Sequence, residues 1–282
     1  MKSLKVFYSD KQNVTDNIDS GSPSAGKPAQ VLASWQTLGI PLDIEDPKPC
    51  TREQMALAHS PEYVNGVLNL KIPNGFGNRL ESVARSLPYT TGAMKDAALF
   101  AFRTGSPAAA LVSGFHHAHY DSGGAFCTFE GLIIASQVLK LDGATSVGIL
   151  DCDEHAGNGT KSIIERLSLD YISHWSLGYS NVDESNADEW LKNLPHLLQS
   201  EFPTIKVLLY QAGADCHIDD PLGGRFTNDQ MRLRDRIVFE YCKEKGIGCA
   251  FDLAGGYQEP LRKVLDIHDG TLRECHRVFG RE

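Results

Sequence analysis

No apolar run in this 282-residue chain approaches the roughly 20 residues that a membrane-spanning helix needs. The opening Met1–Tyr8 turns polar too quickly for a signal peptide. A soluble, cytoplasmic protein with no membrane contact is therefore expected. Paired cysteine spacing is also missing. The seven cysteines, at 50, 127, 152, 216, 242, 249 and 275, are odd in number, scattered and without a CxxC pair. That argues against a disulfide framework and for reduced, mostly buried thiols. Positive charge is scarce, with 27 basic against 36 acidic residues, a net charge of -9 and a pI near 5.6. Such a balance gives no electrostatic footprint for nucleic acid or an anionic membrane surface and suits a cationic substrate. There is no internal repeat and no low-complexity tract. With 41% hydrophobic and 22% charged residues, the chain can bury a large core, and residues 1–282 read as one domain.

Short apolar runs alternate with amphipathic stretches. Residues 6–8, 108–112, 146–150, 205–210 and 247–253 read as strands, and 29–38, 92–103, 129–139, 187–201 and 228–245 as helices. The last helix carries a Thr227/Gln230 capping box and Gly246 as its stop. Residues 72–86, with Pro73, Gly75 and Gly77, read as a surface loop. The alternation predicts an α/β fold: an open, mostly parallel sheet with helices on both faces, and a site beyond the carboxyl ends of the strands.

Four strands deliver unusual polar residues where their apolar runs stop. The first ends in Gly114-Phe115-His116-His117, the second in Asp151-Cys152-Asp153-Glu154-His155, the third in Gln211-Ala212-Gly213-Ala214-Asp215 and the last in Ala254-Gly255-Gly256-Tyr257. Residues two apart at an extended strand end share a side, so Asp151, Asp153 and His155 can converge while Cys152 and Glu154 point away. The Gly157-Asn158-Gly159-Thr160 run then turns the chain, with Thr160 available to cap the next helix. Asp153, His155 and Asp215 make a three-ligand N/O set with room for water or substrate, the pattern of a catalytic Zn²⁺ or Fe²⁺ site. Each residue alone has a plainer reading: histidines satisfied by backbone, Asp215 as a cap, Asp153 in an ion pair, Tyr257 in the core. Tyr257 follows two glycines that let backbone approach a ligand, where its hydroxyl can donate to a developing oxyanion.

These motifs, with His59-Ser60-Pro61-Glu62-Tyr63, Gly123-Gly124-Ala125-Phe126-Cys127 and Asp220-Pro221-Leu222-Gly223-Gly224, resemble the zinc-dependent histone deacetylase superfamily over most of the chain. Their phrasing is most similar to the class IV branch. The resemblance implies an arginase/deacetylase-like fold and a zinc-dependent deacylase acting on N-acyl-lysine or a related N-acyl amine. It implies Asp153, His155 and Asp215 as zinc ligands, His117 as general base and then acid, His116 as its electrostatic partner, and Tyr257 as oxyanion donor. Asp151 would pair with His116 and Asn158 with His117; which histidine is the base stays open, because Asn158 stands where some relatives have a carboxylate. Gly124, Ala125 and Phe126 would line a narrow substrate tunnel. The resemblance further implies a K⁺ ion held by Asp151, backbone carbonyls of Asp153 and His155, and a later serine, for which Ser173 is the candidate.

The chain departs from the family pattern in lacking a proline-rich approach to the tandem histidines, in Ala125 where glycine is usual and in Ala156 where many members have a second histidine. None removes a ligand. The rival readings are an acetylpolyamine amidohydrolase, a dinuclear manganese ureohydrolase and an inactive acyl-lysine binding module. Natural substrate, acyl length, metal identity and oligomeric state are not written in the sequence.

Overall fold

A computed structural model describes residues 3–17 and 21–280; Met1 and Lys2 of the N-terminal stretch lie outside it. In chain order the elements are β1 (Leu4–Phe7), α1 (Lys27–Gln36), β2 (Leu42–Glu45), α2 (Arg52–Met55), α3 (Pro61–Leu68) and α4 (Glu81–Thr104). Then come β3 (Ala108–Ala110), α5 (Gly131–Leu141), β4 (Val147–Asp151), α6 (Asn158–Leu167), β5 (Ile172–Ser176) and α7 (Ala187–Glu201). β6 (Val207–Gln211), α8 (Asn228–Lys245), β7 (Gly248–Asp252) and α9 (Arg262–Phe279) complete the chain. Among the described residues seven strands form one sheet in the order β2-β1-β3-β7-β6-β4-β5, and every pairing is parallel.

The apolar strands bury both faces, and alternate residues supply two cores. Ala108, Ala110, Ile149, Val207 and Leu209 pack under α2–α6, against Met55, Tyr63, Ala97, Leu132 and Ile163. Ala109, Leu150, Leu208, Tyr210 and Phe251 pack under α1, α7, α8 and α9, against Trp35, Leu194, Phe239 and Leu272. The long helix α4 lies close to the sheet because small residues meet there. β3 is three alanines, α4 presents buried Ala93, Ala97, Ala98 and Ala101, and a Cβ on Gly248 would come 2.0 Å from the Ala101 carbonyl oxygen.

The expected strands and helices form, and the differences have physical causes. The two strands the sequence did not signal, β2 and β5, are the sheet edges, where half-exposure removes the need for a continuous apolar run. β2 carries Asp43 and Glu45, which the Lys5 ammonium bridges at 3.0 and 2.5 Å, a charged edge that discourages pairing with another chain. The expected loop over 72–86 ends early: α4 starts at Glu81 and runs through Pro88. Extra donors brace the helix beside the proline, with the Thr90 and Thr91 hydroxyls on the Ser86 and Leu87 carbonyls at 3.1 and 2.9 Å, and the Cys50 amide on the Pro88 carbonyl at 2.8 Å.

The polar-ended strands are β3, β7, β6 and β4, four consecutive neighbours at the centre of the sheet. Their terminal loops therefore share one crevice. Among the described residues no helix is long and apolar enough to cross a membrane.

Gly248→Ala is expected to lower stability by about 1–3 kcal/mol, because the methyl meets helix backbone rather than a movable side chain. The exposed Leu233→Ala on α8 is expected to stay within about 0.5 kcal/mol. Urea denaturation midpoints of the two variants check both.

Candidate metal centre and catalytic cleft

β4 ends at Asp151, whose side chain faces inward and is fully buried. Its Oδ1 accepts from the Asp153 amide at 3.1 Å and from Gln211 Nε2 at 2.9 Å. Its Oδ2 accepts from His116 Nδ1 at 2.8 Å and from the Ser176 hydroxyl at 3.1 Å. Gln211 sits opposite Asp151 on β6 and also accepts the Phe115 amide at 3.0 Å, so its side chain joins the chain after β3 to the paired β4 and β6 termini.

Two and four residues beyond the strand, Asp153 and His155 turn toward Asp215. His155 Nδ1 stands 3.2 Å from Asp153 Oδ1 and 3.3 Å from Asp215 Oδ2, and one ligand atom from each of the three lies within 4.8 Å of the others. Among the described residues this is the one His/Cys/Asp/Glu cluster with that spacing. The Asp215 Oδ2 atom is buried without a hydrogen-bond partner. Burial, then the neighbouring Asp153 carboxylate, pushes Asp215 well above the ordinary carboxylate range, while Asp153, despite its burial, is held low by His116 and His155. Two buried carboxylates this close repel, and a divalent cation bound between them would relieve the repulsion and satisfy the orphan oxygen. The donor set fits Zn²⁺ or Fe²⁺.

The tandem histidines lie beside this cluster with their ring centroids 4.0 Å apart. They differ in partner. His116 is buried on Asp151, with Nε2 3.5 Å from Asp153 Oδ1. Burial disfavours its charge, but Asp151, Asp153 and Asp215 outweigh that and raise it to about 10. His117 Nδ1 meets Asn158 Oδ1 at 2.8 Å, and the same oxygen accepts the Gly159 amide at 3.0 Å, which fixes the Asn158 amide orientation. Burial and then the His116 charge hold His117 below the ordinary histidine range.

Gly255 and Gly256 both take the left-handed conformation, at φ +57° and +93°. A Cβ on Gly255 would come 2.5 Å from Asp215 Cγ, so only glycine lets this loop pass behind Asp215. Tyr257 follows, its amide donating to Asp220 Oδ2 at 2.7 Å, and burial, then Asp215, pushes its phenol up, so it remains a proton donor. One cavity of about 150 Å³ joins these groups. Its lining runs from exposed Leu222 and partly buried Phe76 past Phe126 and Tyr257, whose rings are 6.0 Å apart, to buried Leu87 and Thr91.

Three expectations change. Ser176, not Ser173, reaches Asp151, because β5 pairs Ser176 with Asp151 and Ser173 with Gly148, three residues back along the strand. Gly124 does not line the cavity, whereas Ala125 and Phe126 do; Gly124 instead closes a turn through its amide to the Cys127 carbonyl at 2.9 Å. Ala125 and Phe126 sit at φ +44° and +69°, a strained pair of non-glycine residues at the cavity wall. Thr160 does not cap α6; it lies in the first turn, and its hydroxyl donates to Glu130 Oε1 at 2.6 Å.

Sequence reasoning missed Lys27 and Glu130, ordinary-looking charges at helix starts. Lys27 is 1% exposed, and its ammonium donates to the Leu253 carbonyl at 2.8 Å and to that of Gly255. Burial brings it down to about 8, opposed by Asp215 and Asp153. Glu130 caps α5 by accepting the Ile133 amide at 2.6 Å and, through Thr160, anchors the α6 start, whose Gly159 and Thr160 amides hold the His116 carbonyl at 2.8 and 3.2 Å. His59 accepts the Glu130 amide at 2.8 Å on Nε2 and so donates from Nδ1 to the His119 carbonyl at 2.8 Å. The His59–Tyr63 motif is thus scaffolding for the histidine loop, with the Tyr63 hydroxyl donating to the Thr128 carbonyl at 2.9 Å.

Comparison with known proteins agrees with this geometry. Residues 24–177 match the histone deacetylase domain, more than half of the chain, and the protein belongs to that family. It is 27% identical to an uncharacterized protein of Picosynechococcus over 85% of this chain and 87% of that one. With histone deacetylase 2 of Arabidopsis thaliana it shares 25% identity over 79% of this chain but 65% of the relative. Acetylpolyamine amidohydrolase 2 of Pseudomonas aeruginosa is 48% identical across 50% of this chain and 48% of its own length. The fold matches the crystal structure of the HDA15 HD domain, with TM-score 0.78, 18% identity and 99% and 90% of the two chains covered. It also matches the acetylpolyamine aminohydrolase of Burkholderia pseudomallei, with TM-score 0.74, 15% identity and 98% and 99% covered.

Burial raises Glu130 to about 7 from an ordinary value near 4.5. Across that window the native state holds a proton that the unfolded chain has released, so stability falls as pH rises, by up to roughly 3 kcal/mol. Glu130→Gln keeps an acceptor for Ile133 and can donate to Thr160, and is expected to flatten this dependence. Melts of both proteins at pH 5 and pH 8 test it: equal slopes would contradict the assignment.

Proposed function

We propose that this protein is a metal-dependent amide hydrolase that removes an acyl group from N-acyl-lysine or a related N-acyl amine. The observation that carries the reading is the convergence, along one cavity, of Asp153 and His155 with two histidines of opposite partner and Tyr257, with Asp215 clustered behind the first two. A Zn²⁺ or Fe²⁺ ion held by those three residues would supply Lewis-acid polarisation of the amide carbonyl and a more acidic water.

The chain's own groups supply the rest. His117 carries its proton on Nδ1, toward the Asn158 carbonyl oxygen, which leaves Nε2 free to accept one from the attacking water. Oxygen bonds to the acyl carbon, the carbon–nitrogen bond breaks, and His117 returns the proton to the departing amine, giving a carboxylate and a free amine. His116, bonded to a carboxylate where His117 has an amide, stays charged and stabilises the developing negative charge, which supports His117 as the base. The Tyr257 hydroxyl donates to the carbonyl oxygen as it becomes anionic. Phe126 and the strained Ala125 form the wall that grips the substrate's alkyl chain. A K⁺ ion on Asp151, the carbonyls of Asp153 and His155, and the Ser176 hydroxyl would brace the same loop.

Acetylpolyamine hydrolysis is the second reading, favoured by the 48% identity to the Pseudomonas amidohydrolase over half of the chain and by the acidic net charge. A dinuclear ureohydrolase is disfavoured, because the described residues contain one ligand trio.

Hydrolysis of N-acyl-lysine peptides and of N-acetylputrescine by metal-reconstituted protein separates these readings; fast polyamine turnover with none on peptides would select the second. His117→Ala is expected to reduce kcat by roughly 100- to 10,000-fold, and Tyr257→Phe by roughly 100- to 1,000-fold. Asp153→Ala should lose metal and activity together, whereas two manganese ions per chain would contradict a mononuclear site. The acid limb of kcat/KM is expected below pH 6.5, the ordinary value from which His117 is lowered. Asn158→Asp, by placing a carboxylate on Nδ1, should move that limb upward by about one pH unit.

A further inference from the structure

A buried arginine lies behind the metal centre, touching neither cavity nor ligand. Arg234, on α8, is 0% exposed. Its Nη1 donates to the Cys152 carbonyl at 3.1 Å and to the Gly213 carbonyl at 2.9 Å. Cys152 immediately precedes Asp153, and Gly213 stands two residues before Asp215, so one nitrogen joins the two loops that each deliver a carboxylate ligand. The loops are in backbone contact at this point: a Cβ on Gly213 would lie 2.5 Å from Asp153 Cα.

The other side of the guanidinium is fixed independently. Nε donates to Asp235 Oδ1 at 2.9 Å, with Nη2 2.8 Å from the same oxygen. Asp235 in turn receives the Tyr210 hydroxyl at 2.5 Å and the Thr271 hydroxyl at 2.6 Å, from β6 and α9. A fully buried cation is costly unless it is paired, and here the planar fork spans a carboxylate on one side and two loop carbonyls on the other. An ammonium has no such fork.

We propose that Arg234 is a positioning residue for the metal centre: it sets the spacing between Asp153 and Asp215 by clamping the backbone of their two loops, and so tunes metal affinity without touching the ion. The inference rests on the metal-dependent reading above. Groups that orient metal ligands typically contribute 10- to 100-fold in affinity.

The test is Zn²⁺ affinity, measured by competition with a chromophoric chelator, of the wild type, Arg234→Lys and Tyr241→Phe. Tyr241 lies on the same helix and donates to the Phe202 carbonyl at 2.5 Å, away from the loops. Its loss reports a purely structural change. Arg234→Lys is expected to weaken Zn²⁺ binding by about 10- to 100-fold while remaining folded by circular dichroism, with Tyr241→Phe binding as the wild type does. Unchanged affinity in folded Arg234→Lys, or equal weakening in both variants, would overturn the inference alone. A wild type that binds no Zn²⁺ would overturn the metal-dependent reading and this inference with it. Should Arg234→Lys not fold, Asp235→Asn leaves the guanidinium on both carbonyls but loosens its far side. A several-fold weakening supports the clamp, and unchanged affinity refutes it.

Discussion

The site is organised around a concentration of buried negative charge at the carboxyl ends of four adjacent strands. Asp151, Asp153 and Asp215 are each 3% exposed or less, and Asp252 lies in the same sheet row as Asp151 and Gln211. Carboxylates so placed destabilise a fold unless each is paired, protonated or bound to a cation. The chain treats its carboxylates differently. Asp151 is saturated by four donors. Asp252, whose oxygens have no hydrogen-bond partner, is driven by burial toward the neutral acid. Asp153 and Asp215 remain as a close pair that, with His155, could hold a metal ion.

Two buried basic side chains reach this cluster of carboxylates from helices on one face of the sheet. Lys27 holds the Gly255 loop from α1, and Arg234 holds the Asp153 and Asp215 loops from α8. Glu130 and Thr160 fix the start of α6, whose amides secure the His116 carbonyl and whose Asn158 orients His117. Helices on both faces of the sheet thus contribute to the placement of loops at its end. The tight approach of α4 to β3 and β7 through alanine and glycine places Leu87 and Thr91 in the cavity lining.

Much of this was legible from the residues because the chemistry demands particular side chains in a particular order. The apolar runs of β3, β4, β6 and β7 and the polar residues after them marked both the sheet and its functional edge. What escaped had no local signature. The edge strands β2 and β5 lack a continuous apolar run, and α4 crosses a proline that normally ends a helix. Ser173 and Ser176 differ by three positions in one strand, which exchanges the sheet faces they point to, and only the register with β4 selects between them.

The sequence by itself determined the α/β class, the three residues that cluster as the candidate metal site and the order of the motifs, since ligand chemistry and strand periodicity are properties of neighbouring residues. Tertiary structure alone decided which charges are buried. Lys27, Glu130 and Arg234 look like surface residues in the sequence, and they became internal supports because α1, α5 and α8 pack their inner faces against loops distant along the chain. Burial is a property of the assembled layers, and it is burial that gives those three charges their energetic weight.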